Sequence, residues 1–186
     1  FYAASWWAAL KFLAAPREER KLGWLYAAFV IAGLSALVKS PLYSVFWVVG
    51  FVSYLVISGE WELFKSKHLY ISWALAVIVS AIWYLAILKV DGDRFWADYA
   101  MRETWDKKGG NGASWWSLWM ALFYFCFPFT LWAIGGLTAA LRNRRAGHVI
   151  RFVFAWSWMP ALFFTFYPYR IKPYLYILVP AAAILA

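Results

Sequence analysis

Cysteine, histidine and acidic side chains are scarce in this chain of 186 residues, which has one cysteine, two histidines and nine acidic residues. Cys126 has no second cysteine to pair with, so neither a disulfide nor a cysteine-based metal site can form within the chain. His68 and His148 are too far apart in sequence to indicate a shared metal. The chain also has no phosphate-binding glycine loop and no serine–histidine–aspartate set. We therefore predict neither a metal nor a cofactor.

Charged residues of either sign are also few. They make up 15% of the chain, whereas hydrophobic residues make up 65%, and the mean hydropathy is +0.61. These values lie far outside the range of a soluble domain. A helix crosses the hydrocarbon core with about 20 apolar residues, and the runs lack the alternation of a barrel strand. We predict an all-α, polytopic integral membrane protein. The runs without a charged side chain are 22–38, 40–59, 68–88, 109–141 and 152–169.

Hydropathy and helix breakers predict one incomplete transmembrane domain over residues 1–186, with about five full spans and a partial helix at each end. The first partial helix covers about 2–15 and the last begins near 173. Residues 91–113 are predicted to be an outer-face loop that contains an interfacial helix. Both ends look cut, so we expect the chain to be a segment of a larger protein. The predicted full spans are 23–39, 41–58, 69–90, 114–140 and 150–168.

The basic residues divide almost equally between the two sides that strict alternation of the spans defines. Loops 16–21, 60–68 and 142–148 share one side, which we take as cytoplasmic from its slight excess of lysine and arginine. The opposite side keeps nearly as many cations, which predicts that an anion binds there. The net charge of +9 is scattered over short loops and indicates membrane affinity rather than nucleic-acid binding.

Lys39 interrupts a stretch of about 35 otherwise lipid-soluble residues. With Ser40 and Pro41 it is predicted to form a very short turn at the outer interface, since proline suits the first turn of a helix. One interpretation is an anchoring lysine whose ammonium reaches the headgroups. The other is a ligand for a lipid phosphate. The turn itself is compatible with both.

Four further cations lie in outer-side segments that contain other features of a binding site. Arg102 and Lys107 belong to the polar loop 91–113, which is either an aromatic-anchored surface helix or a lid over a cavity. Arg170 and Lys172 lie between prolines and tyrosines in "FYPYRIKPYLYILVP". That segment is either an ordinary interfacial belt or a phosphate site in which a guanidinium fork and an ammonium share the ligand.

Several stretches resemble, in order, a family of membrane enzymes. "GLSALVKSP" resembles the GL-x-x-L-x-K-G-P element of the polytopic polyprenyl-phosphate-sugar transferases, which include the protein O-mannosyltransferases and the lipid A aminoarabinose transferase. "AIWYLAILKVDGDRFWADYAMRETWDKK" is similar to that family's Pro-Trp-Tyr span end and the loop after it. "FPFTLW" and "RIKPYLYILVPAAAILA" are similar to its later elements. The match runs from about residue 33 to residue 186.

This resemblance implies a GT-C-like helix bundle and a glycosyltransferase that takes a sugar from a polyprenyl-phosphate donor on the non-cytoplasmic face. The acceptor would be a lipid, a glycan or a protein, and the location a bacterial inner membrane with the active face outside. Lys39 matches the motif lysine, Lys172 the late lysine, and Arg102 or Lys107 the basic position of the loop. With Arg170, these residues form the predicted donor-phosphate site.

The sequence departs from the family at Ser40, Ile82 and Phe129, which stand where the family has Gly, Pro and Trp. The family's catalytic acid lies in a first outer loop that would precede Phe1. We therefore expect the general base to be missing here, and no catalytic residue is assigned. The outer-side carboxylates are interpreted as solvated or helix-pairing groups; they are Asp91, Asp93, Asp98, Glu103 and Asp106.

A phosphate-linked sugar leaves negative charge on the phosphate, which fixed cations at the outer face would stabilise. The rival interpretation is a non-catalytic polytopic subunit or a transporter in a larger assembly, so additional protein subunits are possible partners alongside the donor and membrane lipids. Transporters tend to carry ionisable groups inside their spans, whereas here the charges cluster at the edges. An acidic residue in a first outer loop would favour the enzyme.

Overall fold

The computed structural model describes residues 1–38, 41–101, 114–127, 131, 134–135, 138, 147–167 and 178–185. Within these residues every regular element is helical, which confirms the predicted all-α class for the described part. The chain forms two compact units, unit 1 over Phe1–Phe95 and unit 2 over Trp96–Ala186.

The described helices have the following bounds. They are α1 (Tyr2–Leu13), α2 (Leu22–Val38), α3 (Pro41–Ser58), α4 (Lys67–Asp91), α5 (Asp93–Ala100), α6 (Trp115–Cys126), α7 (Gly147–Phe166) and α8 (Val179–Leu185). Short 3-10 turns cover Arg17–Glu19 and Trp61–Lys65.

Three of these helices are long and apolar enough to cross a membrane, namely α3, α4 and α7. They indicate a membrane protein. Helix α2 is equally apolar but has 17 residues. Helix α4 has 25 residues, which at 1.5 Å per residue is about 37 Å, longer than the hydrocarbon core of about 30 Å.

Unit 1 is built around α2, which contacts α1, α3 and α4. Aromatic side chains make many of the contacts between α1, α2 and α3. Phe29 of α2 packs edge-on against Trp47 and Phe51 of α3, at centroid distances of 4.9 and 5.3 Å, and Trp6 of α1 lies 5.6 Å from Trp47. All four rings are buried. The core of unit 1 is therefore an aromatic cluster where α1, α2 and α3 meet.

Unit 2 contains α7, which contacts α6 and α8. Pro160 lies inside α7 and is buried there. The predicted span over 114–140 is interrupted, because α6 ends at Cys126 and Phe127 is extended, with φ −66° and ψ 137°. Phe127 precedes Pro128, and a residue before proline is pushed out of the helical region by the proline ring.

Candidate functional site

The five predicted donor-phosphate ligands, Lys39, Arg102, Lys107, Arg170 and Lys172, all lie outside the described residues. The carboxylates Glu103 and Asp106 lie outside them too. The structure does describe the helices next to two of these segments in the sequence. Helices α2 and α3 flank Lys39, and α5 precedes Arg102.

Lys39 and Ser40 form the whole connection between α2, which ends at Val38, and α3, which begins at Pro41. Proline is accommodated as the first residue of a helix because its missing N–H would have no partner there. The contacts of α3 with α2, from Ser44–Ala32 near the connection to Phe51–Phe29 further from it, show that α3 returns along α2. The described ends of α2 and α3, Val38 and Pro41, therefore lie at the tip of a helical hairpin, and Lys39 lies between them in the sequence.

Ser44 joins the two arms of this hairpin close to its tip. Its hydroxyl donates a hydrogen bond of 2.6 Å from α3 to the carbonyl oxygen of Ala32 in α2, and its oxygen lies 3.2 Å from that of Ser35, which donates to the same carbonyl within α2. A hydrogen bond between helices is worth about 0.6 kcal/mol on average in a membrane. This bond connects α2 to the first turn of α3.

Helix α4 lies parallel to α2 and approaches it most closely at Gly33. A methyl group on Gly33 would stand 2.7 Å from the carbonyl oxygen of Ala76, so only glycine fits at this level. Ser80 donates a hydrogen bond of 3.2 Å to the carbonyl oxygen of Gly33. Near the start of both helices, the hydroxyl of Tyr26 is 2.6 Å from Nδ1 of His68.

The start of α5 lies at the same end of unit 1 as the hairpin tip. Gly92 has φ 55°, a left-handed conformation that suits glycine, and it turns the chain from α4 into α5. Phe95 of α5 then lies 6.3 Å, centroid to centroid, from Tyr84 of α4. Tyr84 is four residues beyond Ser80, and Val38 is five beyond Gly33, so parallel helices bring these two residues to a similar level.

Charged residues at this end of unit 1 are exposed where the structure describes their side chains. They include Asp91 at the end of α4 and Arg94 near the start of α5, and Asp98 of α5, which belongs to unit 2, is exposed as well. None of them makes an ion pair with another described residue. The exposure of Asp91 and Asp98 agrees with their interpretation as solvated groups, and neither is assigned as the general base.

The opposite end of unit 1 contains an ion pair that the sequence analysis did not anticipate. Arg20 donates to both carboxylate oxygens of Glu60, each at 3.0 Å, and also to the carbonyl oxygens of Leu13 and Ala15. The Arg20 side chain is 10% exposed and lies over the ring of Phe12 at 5.4 Å. These contacts fasten the end of α1 to the end of α3.

This arginine shifts the acidity of its partner. Hydrogen bonds from Arg20 hold the pKa of the Glu60 carboxyl below its ordinary value, although partial burial acts in the opposite direction. The positive charges of Arg20 and Arg17 add to the lowering. Glu60 is therefore an anion at neutral pH. The pairing of residues 40 apart had one signal in the sequence, the predicted placement of loops 16–21 and 60–68 on one side.

Metal binding has no candidate within the part of the chain that the structure describes, since no three histidine, cysteine or acidic residues come together there. His68 belongs to the contact between α2 and α4.

Comparisons with protein-family models, with curated proteins and with solved structures find no match to this chain.

Proposed function

We propose that the protein is a membrane glycosyltransferase that moves a sugar from a polyprenyl-phosphate donor to a lipid, glycan or protein acceptor on the non-cytoplasmic face. In this proposal the described helices form part of a GT-C-like bundle. The observation that supports it is that α2 ends at Val38 and α3 begins at Pro41, so that Lys39 belongs to a connection of two residues. A cation in so short a connection suits a phosphate better than one on a long loop, since less freedom is lost on binding.

A second observation supports the same location. Helix α5 starts beside Tyr84, at the level of the hairpin tip, and the chain continues from it into the segment that contains Arg102 and Lys107. The basic position of the proposed lid therefore follows a helix that begins at the end of unit 1 where α2 ends and α3 begins. Arg170 and Lys172 complete the proposed set of donor-phosphate ligands.

The proposed chemistry assigns these cations to the leaving group. When the bond between sugar and phosphate breaks, negative charge develops on the phosphate oxygens, and fixed ammonium and guanidinium groups stabilise it. A carboxylate would take the proton of the acceptor hydroxyl. No carboxylate of this chain is assigned that role.

The test is the affinity for a polyprenyl-phosphate sugar of the wild type and of Lys39→Ala. Loss of a charge-assisted hydrogen bond costs about 1 to 3 kcal/mol, which raises Kd about 5- to 150-fold. Lys39→Arg should restore affinity only in part, because a planar fork and a compact ammonium bind a phosphate differently. Lys65→Ala, at the opposite end of unit 1, is the matched control and should leave Kd unchanged. Equal affinity in Lys39→Ala and wild type would contradict the proposal.

A non-catalytic polytopic subunit or transporter is the second candidate, and one observation favours it. Gly33 and Ser35 of the stretch "GLSALVKSP" have packing roles, since Gly33 admits α4 and the buried Ser35 hydroxyl lies 3.2 Å from that of Ser44 in α3. A subunit that kept the fold without the chemistry would need both. In that case Lys39→Ala should lower the Tm and leave donor affinity unchanged.

A further inference from the structure

The Glu60 end of unit 1 holds two arginines in different situations. Arg20 uses four of its five N–H groups in hydrogen bonds to Glu60 and to two backbone carbonyls. Its side chain is also largely buried. Arg20 therefore has a structural role and has little capacity to bind anything else.

Arg17 also contacts Glu60, but most of its N–H groups make no hydrogen bond to the described residues. Its side chain is 59% exposed, and among the described residues it makes one hydrogen bond, of 3.4 Å, to Oε2 of Glu60. That oxygen already accepts a shorter bond from Arg20. Because Arg17 lies in a 3-10 turn fastened at Glu60, its guanidinium is held at the surface with N–H groups available to an anion.

The surface around Arg17 carries a net positive charge. Four lysines are exposed at this end, and one of them, Lys65, is compensated by Glu62 in an ion pair of 3.2 Å. Against the exposed cations stand two exposed glutamates, Glu18 and Glu19. We call the four exposed cations outside the Lys65–Glu62 pair the basic surface; they are Lys11, Arg17, Lys21 and Lys67.

Aromatic side chains border the basic surface. Trp7, Trp61 and Tyr70 are each more than half exposed, although each ring has a contact that orients it. The Trp7 ring meets Trp24 edge-on, the Trp61 ring lies 5.9 Å from that of Phe64, and the Tyr70 hydroxyl donates to a backbone carbonyl. Exposed tryptophan and tyrosine at the end of apolar helices are typical of the depth at which headgroups lie.

We propose that the basic surface binds the phosphate of an anionic phospholipid headgroup, with Arg17 as the residue that contacts it. The guanidinium offers a planar fork to phosphate oxygens, and the three lysines add attraction. The aromatic border and the apolar helices α3 and α4, which start or end here, favour a lipid over a free phosphate ion. The proposal concerns the end of unit 1 opposite to the one where α2 ends and α3 begins, so it does not depend on sugar transfer.

The experiment is a lipid titration of the purified protein in detergent, followed by native mass spectrometry. Phosphatidylglycerol should bind more tightly than phosphatidylcholine, and the preference should fade as salt is added, because an exposed ionic contact is screened. Arg17→Gln should reduce the affinity for phosphatidylglycerol about five-fold, the effect of one basic residue at a membrane surface, and leave phosphatidylcholine binding unchanged.

The matched control is Arg94→Gln, which removes an exposed arginine from α5 at the other end of unit 1. It should keep the wild-type preference. The same loss in Arg94→Gln and Arg17→Gln would show a general effect of charge and overturn the proposal, as would an unchanged Arg17→Gln. Competition by millimolar inorganic phosphate as effective as that by the lipid would identify a site for the free ion and would overturn the lipid assignment.

Discussion

Substitution of Gly33 by alanine tests the closest contact in unit 1. The added methyl group would lie 2.7 Å from the carbonyl oxygen of Ala76 and 3.1 Å from its Cα atom. Carbon atoms pack at about 3.5 to 4.0 Å, and both obstructing atoms belong to a helix backbone. Helices α2 and α4 would have to move apart along their contact, and the hydrogen bond from Ser80 to the carbonyl of Gly33 would lengthen.

The magnitude follows from the cost of overpacking, about 1 to 3 kcal/mol. Alanine also improves helix propensity, by up to about 1 kcal/mol, and this gain must be subtracted. Gly23→Ala in the same helix supplies the matched control, since a methyl group there meets nothing within 4 Å. We therefore expect Gly33→Ala to be about 1 to 3 kcal/mol less stable than Gly23→Ala, a difference in Tm of about 2 to 12 °C for a chain of this size.

The assay is thermal unfolding of both variants in the same detergent, followed by tryptophan fluorescence. Adding Ala76→Gly to Gly33→Ala should restore nothing, because the obstruction is the backbone of Ala76 and not its methyl group. Equal Tm values for Gly33→Ala and Gly23→Ala would refute the close approach of α2 and α4. Rescue by Ala76→Gly would refute its geometry.

Two further predictions concern the Glu60 pair and the orientation of α4. Because the folded-state pKa of Glu60 lies below its ordinary value of about 4.3, its stabilising effect is present above that pH and is lost as the pH falls through the folded-state pKa. The Tm advantage of wild type over Glu60→Gln should therefore shrink on acidification, whereas Glu62→Gln should show almost no advantage at any pH; a constant advantage over Glu60→Gln would contradict the ion pair. In a Cys126→Ser background, an impermeant maleimide applied to intact cells should label Asp91→Cys and not Glu62→Cys, because 25 residues of α4 separate them. Labelling of both would mean that α4 does not cross, and labelling of Glu62→Cys alone would invert its orientation.

The helices of unit 1 were predictable from sequence because their limits coincide with strong local signals. The predicted spans 23–39, 41–58 and 69–90 differ from α2, α3 and α4 by at most two residues at either end. Pro41 begins α3, and Ser66 caps α4 by accepting a hydrogen bond from the backbone N–H of His68. The interruption after Cys126 also had a local signal, a residue followed by proline, which the length of the charge-free run obscured.

The packing of these helices was not predictable, because they are apolar on nearly every side. A membrane helix has no polar face to show which side contacts its neighbours, so periodicity does not identify the α2–α4 contact at Gly33. The pairing of Arg20 with Glu60 likewise depends on how α1 and α3 meet. Near the candidate site the sequence predicted where α2 ends and α3 begins, because that prediction needed only local helix signals, and the described ends at Val38 and Pro41 agree with it.

The packing roles of Gly33 and Ser35 reduce the support that the resemblance in "GLSALVKSP" gives to a shared function. Gly33 and Ser35 are explained by their contacts with α4 and with Ser44 of α3, which a tight bundle of helices can have whatever its function. Those positions would be similar in proteins of different function, so they support a shared arrangement of helices rather than shared chemistry. Lys39 is the charged residue of the stretch, and charge is not needed to join two apolar helices. The case for a lipid-phosphate substrate therefore depends on Lys39, and the comparison of Lys39→Ala with Gly33→Ala separates the two contributions. We expect the first to change donor affinity at constant Tm and the second to change Tm.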